Sequence, residues 1–196
     1  MDAILEAAAQ VFAERGFAAG TTNRIAQRAG VSVGSLYEYF PNKESILVAL
    51  VERTTAHGMA QIQARLGEDA EHPRELEALL AGFVQALLAF HRAEPELHRV
   101  LFEEAPHPPE LHACVLQMEE SLAHTLEAFL ARCPDVHVED PDTAAHLVVQ
   151  LVEALSHRFA LHGIHELGDA EFTAEVVRLL HAYLVHRPGE AMAPRR

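Results

Sequence analysis

Cysteine is almost missing from this chain: its 196 residues hold only Cys114 and Cys133. Neither a CxxC pair nor a secretion signal accompanies them, so they read as reduced core thiols rather than as a disulfide or a metal cradle. No stretch of roughly eighteen or more uncharged apolar residues occurs, so no membrane-spanning helix is expected. Strictly alternating runs of Val, Ile and aromatic residues are absent as well, which leaves no candidate strands. There is no Gly-rich phosphate loop, no nucleophile elbow and no defensible carboxylate pair, so nothing nominates an enzyme. Positive charge is scarce: 15 Lys and Arg face 29 Asp and Glu, for a formal net charge of -14. That balance argues against a general nucleic-acid coating protein. Residues 1–16 carry an acid at position two and helical spacing instead of a basic start and a solid apolar stretch, so they do not read as a signal peptide. The protein reads as cytoplasmic.

What is present is a core-forming composition, 49% apolar, with a spacing near the helical period in almost every segment. We expect an all-α protein of about nine helices. The first carries Ile4, Leu5, Ala8, Val11 and Phe12 on one stripe and closes at Gly16. Thr21 can cap the second, which Gly30 ends; Ser32 can cap the third, which Pro41 stops; Asn42 can cap a fourth running to about Leu66. The connection "GEDAEHP" follows. Five more helices fit near 73–92, 95–104, 109–131, 141–163 and 169–186, and "RPGEAMAPRR" reads as a frayed tail. The charge is uneven. Residues 1–53 hold five bases and six acids, which leaves -13 on the remainder, and all fourteen histidines lie between His57 and His186. Such asymmetry separates two regions with different jobs, residues 1–50 and residues 51–187, followed by a tail over 188–196.

Residues 21–40, "TTNRIAQRAGVSVGSLYEYF", have the layout of a helix-turn-helix, in which a second helix presents its N-terminal face to the major groove. Ile25, Ala26 and Ala29 form the inner face of the first helix, Gly30 permits the turn, and Val31 plugs the gap. Leu36 and Phe40, four apart, seat the second helix. Its other face is left outward. Ser32, Val33, Gly34 and Ser35 are small enough for close approach to base edges. Tyr37 and Tyr39 can reach phosphates with their hydroxyls and thymine methyls with their rings. Arg24 and Arg28 lie on the preceding helix. Lys43 opens the next, where the helix dipole disfavours a cation, so an anion is its expected partner.

Residues 3–53 resemble the DNA-binding domain of the TetR/AcrR family of transcriptional regulators. The resemblance rests on "ILEAAAQVFAERGF" and "TTNRIAQRAGVSVGSLYEYFPNKESIL", with the ordered set TT, IA, AGVS, LYxYF and NKE. By matching position it implies DNA contacts at Thr22, Asn23, Val33, Gly34, Ser35, Tyr37, Tyr39 and Lys43, with Arg24 and Arg28 beside them. Many members carry a few basic residues before helix one; here the sequence opens almost inside that helix. The rest of the chain fits in length, all-α character and helix count.

One helix-turn-helix buries too little surface for a specific site, so a two-fold dimer on a palindromic operator is expected. The resemblance places the dimer interface in the last two long helices, on Leu147, Leu151, Leu155 and Phe159 and on Val176, Leu180 and Leu184. It also implies a small-molecule effector held among the helices over 73–131. The apolar candidates there are Phe83, Leu87, Phe90, Leu101, Phe102, Cys114, Met118 and Leu122; His91, His98 and Gln117 are polar ones. That lining favours a hydrophobic compound, and the family's usual mode is repression. No cofactor and no membrane partner is expected. His162 and His165 have a metal-site spacing, and His146, Gln150, Glu153 and His157 could share a stripe. Fourteen histidines produce such spacings by chance, and no HExxH accompanies them. No metal is therefore expected, and a histidine-based metal-responsive regulator stands as the alternative, beside a helical small-molecule binder without DNA-binding activity.

Overall fold

Local capping chemistry sets most of the helix boundaries. In the computed structural model, which describes residues 1–70, 75–164 and 166–186, Thr21 Oγ1 accepts the Arg24 N–H at 3.4 Å and opens α2 (Thr22–Ala29). Gly30 ends α2 at φ 70°, a left-handed conformation that costs a side-chain-bearing residue about 1 kcal/mol or more. Ser32 Oγ accepts the Ser35 N–H at 3.0 Å and opens α3 (Val33–Tyr39). Asn42 Oδ1 accepts the Ser45 N–H at 2.7 Å at the start of α4 (Lys43–Ala70). Before them, α1 (Asp2–Ala19) kinks at Gly16, where φ reaches 73°. Gly20 then sits so close to the Phe12 ring that a Cβ there would lie 2.5 Å from it.

The remaining helices are α5 (Leu76–Ala93), α6 (Pro95–Arg99), α7 (Pro109–Leu130), α8 (Pro141–His162) and α9 (Asp169–Val185). Among the described residues there are nine α-helices and no strand, as the periodicity predicts. Three boundaries differ from expectation. Helix α1 runs on through its kink to Ala19, past the expected close at Gly16. Helix α4 continues to Ala70, past the expected Leu66, because one internal glycine costs only about 1 kcal/mol in a long helix. The helix expected over 95–104 is α6 followed by a π turn, Val100–Glu104. His165, the tail from 187 and part of the "GEDAEHP" connection lie outside the described residues.

The chain packs as two units, Met1–Gly58 with His91–Met118, and Met59–Phe90 with the residues from Glu119 onward. In the first, Ile4, Val11, Phe12, Ile25, Leu36, Phe40, Ile46, Leu47 and Leu50 form a core shared by α1 to α4, and Leu97, Val100, Leu101, Ala105 and Leu111 join it. By packing, residues 91–118 group with the head, because α6 and the π turn lie against α1. In the second unit α5 contributes Leu79, Leu80, Phe83, Val84 and Leu87, α7 Leu122 and Leu126, α8 Val148, Val149 and Val152, and α9 Val176, Leu180 and Leu184. Phe159 and Phe172 stack there with ring centroids 4.0 Å apart. By length and composition α5 is apolar enough to cross a membrane, yet half of it is buried, as in a core helix.

Candidate nucleic-acid interface

Helix α3 is short, and its two faces divide cleanly. Leu36 is fully buried and Phe40 nearly so, which pins the helix to the core of the first unit. Ile25 and Ala26 hold α2 from beneath, and Val31 is half-buried in the turn between them, its N–H bonded to the Ala26 carbonyl at 3.0 Å. The opposite face is open: Val33 is 38% exposed, Tyr37 47% and Tyr39 58%. Gly34 is exposed too, and even a Cβ there would meet nothing nearer than Ser32 Oγ at 3.6 Å, so the backbone can be approached closely. Ser35 is half-buried and its hydroxyl lies 2.9 Å from that of Ser32. Thr22 Oγ1 and the Tyr37 hydroxyl are 3.1 Å apart, joining the start of α2 to the outer face of α3, with Asn23 exposed beside them. The expected contact residues on α2 and α3 therefore form one surface of hydroxyls, a ring and bare backbone.

The cations sit differently from expectation. The sequence predicts an anion as the partner of Lys43; its ammonium instead donates to the Phe17 carbonyl at 2.8 Å and lies 4.0 Å from the Phe17 ring centroid. The end of α1 supplies what the start of α4 cannot: a carbonyl dipole and a π face. Arg28 makes a two-point ion pair with Glu14, at 2.5 and 2.8 Å. That guanidinium holds the Glu14 carboxyl below the usual carboxylate range. Arg24 donates to the Ala19 carbonyl at 2.8 Å and stays exposed. Arg15, Arg24, Gln27 and Arg28 with Val11 line a cleft of about 340 Å³, and Arg15 and Gln27 are polar members that the sequence reading does not nominate. Nothing local in the sequence brings Arg15 toward α2; the crossing of α1 and α2 does.

The expected ligand lining is divided between the units. Phe83, Leu87, Phe90 and Leu122 are buried in the second. Phe102, Cys114 and Met118 belong to the first, where Phe102 and Cys114 pack on the core of the head and Cys114 Sγ lies 3.5 Å from Thr55 Oγ1. The expected dimer residues divide by exposure. Leu147 and Leu151 are exposed and Leu155 is half-buried, whereas Phe159, Val176, Leu180 and Leu184 are buried inside their own chain. The apolar residues that α9 presents outward are Leu179, 52% exposed, and Tyr183, 41%. A groove of about 470 Å³ beside them is lined by Leu155, Ile164, Leu167, Phe172 and Leu179. The other cysteine, Cys133, has its thiol pushed up by burial and by Asp135, which disfavours the thiolate.

Comparison with known proteins adds to this geometry. A family model for bacterial regulatory proteins of the tetR family matches residues 4–50, and one for the tetracyclin repressor-like C-terminal domain matches 75–184. The HTH-type transcriptional regulator YdgC of Bacillus subtilis, itself uncharacterized, is 29% identical over 90% of this chain and 88% of that relative. The fatty acid metabolism regulator protein of the same organism is 31% identical, over 45% of each chain. The crystal structure of FadR from Bacillus subtilis in complex with stearoyl-CoA superposes with a TM-score of 0.67 at 22% identity, covering 92% of this chain and 97% of that one.

Proposed function

The chain belongs to the TetR family of bacterial transcriptional regulators, and on that premise we propose that it represses its targets by binding a palindromic operator as a homodimer and is released by a small hydrophobic effector. The observation that carries the DNA-binding part is the split of α3: Leu36 and Phe40 are locked into the core while Val33, Gly34, Tyr37 and Tyr39 are presented outward. An exposed surface this rich in aromatic rings and bare backbone, with almost no free carboxylate but Glu38, suits a groove lined by base edges and phosphates.

Dimerisation rests on α8 and α9. Leu147, Leu151, Leu179 and Tyr183 are large apolar side chains left exposed on a single chain, and a second copy burying them would be joined through an isologous contact. The hydrophobic effector is supported by the apolar interior of the second unit, built from Phe83, Leu87, Phe90 and Leu122, and by the fold shared with a protein solved with stearoyl-CoA.

The test is selection of bound fragments from a random duplex library with the full chain, followed by gel shifts on the recovered sequence. A two-fold-symmetric site, bound at physiological salt and released by micromolar long-chain acyl-CoA, is the expected result. Recovery of no common sequence would remove the operator reading. Retention of the complex at saturating acyl-CoA would remove the effector class while leaving the DNA-binding reading in place.

A further inference from the structure

His91, near the end of α5, and His98, in α6, belong to the same unit, and both are buried, at 1% and 4% exposure. Their facing ring nitrogens, His91 Nδ1 and His98 Nε2, are 3.0 Å apart. The rings meet edge to face, with centroids 4.7 Å apart, and the Phe102 ring lies against His98 with centroids 4.4 Å apart. A contact of this length needs an N–H on one ring and a lone pair on the other, so at least one ring is the neutral imidazole that binds metals.

We propose that His91 and His98 form a binding site for a divalent late transition ion of the nickel or copper class. The argument is geometric. At metal–nitrogen bonds of about 2.1 Å, two nitrogens 3.0 Å apart subtend roughly a right angle at the ion. That is the angle of tetragonal and octahedral centres with imidazole ligands, and it is too narrow for tetrahedral zinc. The shared proton leaves to solvent, the ion sits to one side of the line between the two nitrogens, and both rings turn their lone pairs toward it from opposite sides of the break between α5 and α6. Pro95 opens α6 and fixes that break, and Phe102 packs against the His98 ring, so the two rings are kept side by side and need only turn to meet the ion. The site also has a route to the reading head: Leu97 and Val100, on either side of His98, are part of the core that carries α1 to α3. An ion that pins His98 to His91 therefore acts on a segment packed directly against α1.

The experiment is titration of the chelator-treated full chain with NiCl2 by calorimetry, with MgCl2 in parallel. One Ni(II) per chain at micromolar affinity is expected, with no magnesium binding, since a hard ion does not favour imidazole. His91→Gln and His98→Gln should each weaken that site at least tenfold, while His124→Gln, at an exposed position, should leave it unchanged. Because a buried histidine can be needed for folding, circular dichroism accompanies each variant. The wild-type chain, labelled with nitrogen-15 at histidine, supplies an independent readout: nickel should shift or broaden the ring signals of His91 and His98 at the first equivalent. No binding at 100-fold the protein concentration, unchanged binding in both variants, or first-equivalent perturbation confined to other histidines would each overturn the site.

Discussion

Tyr37 and Lys43 are both expected DNA contacts by sequence, yet the structure gives them different surroundings. Tyr37 is nearly half exposed, and its hydroxyl has one partner, Thr22 Oγ1 at 3.1 Å. Removing that hydroxyl leaves the core untouched and deletes one hydrogen-bonding group from the proposed DNA-contacting surface. Tyr37→Phe should weaken operator binding by about fivefold to tenfold, the worth of one such bond, with an unchanged melting temperature. Tyr37→Ala, which also removes the ring, should cost more than tenfold, and equal binding by all three proteins in a gel shift would take Tyr37 out of the interface. Lys43 is committed inside the protein. Its ammonium holds the Phe17 carbonyl and ring, contacts worth together about 1–3 kcal/mol. Lys43→Ala should therefore lower thermal stability as well as DNA affinity, and Lys43→Arg should restore the first only in part because the wider guanidinium fits the site less well. A melting curve superposable on wild type would show that this contact carries nothing. The sequence points to Lys43 but not to its partner, since Phe17 lies in another helix and no local spacing links the two.

Helices were readable from their ends inward, because caps are local: Thr21, Ser32 and Asn42 each bond within three residues of their own position. The faces of helices were less readable. Helix α9 carries apolar side chains on more than one side, so the stripe Val176, Leu180 and Leu184 and the neighbouring pair Leu179 and Tyr183 are equally good by periodicity. Only packing decides that the first is core and the second is exposed. The seam of α7 and α8 has a charge pattern that sequence could not resolve either. His146 bonds Glu120 at 3.0 Å, and that carboxyl, with Asp142, raises the imidazole above its usual value. About two turns further along α8, Glu153 is half-buried, and desolvation together with the nearby Glu119 raises its carboxyl above the ordinary range. A carboxyl with a raised folded value favours the folded state most when protonated. Its contribution is full below the unfolded value near 4.5 and is lost as pH rises through the folded one. At neutral pH the ionised Glu153 therefore costs stability. Glu153→Gln should melt higher than wild type at pH 7, and the gap should close as the pH falls toward the unfolded value. A gap independent of pH would show that the carboxylate is not the source of the cost.

At the scale of the whole molecule, charge and apolar surface pull in opposite directions. Residues 54–196 carry a formal charge of -13, so two bodies brought together repel each other, and added salt relieves that repulsion. The proposed contact has to be apolar to overcome it, which is what Leu147, Leu151, Leu179 and Tyr183 offer. DNA binding responds to salt the other way, since each neutralised phosphate contributes a slope of about -0.9 to log K against log salt. The head has few cations for this: Arg28 is paired with Glu14 and Lys43 is bound to Phe17. A shallow slope is expected for one head and twice that slope for a dimer. Leu179→Glu combined with Leu151→Glu places carboxylates on an exposed face and leaves the core intact. Sedimentation should then report a monomer, circular dichroism an unchanged helix content, and gel shifts an operator affinity lower by at least about 100-fold, since a single module buries too little surface for specific binding. The residual binding should show half the wild-type salt slope. A dimer that survives both substitutions would move the interface away from this face of α8 and α9, and a monomer with the full salt slope would mean that the second head never touched the DNA.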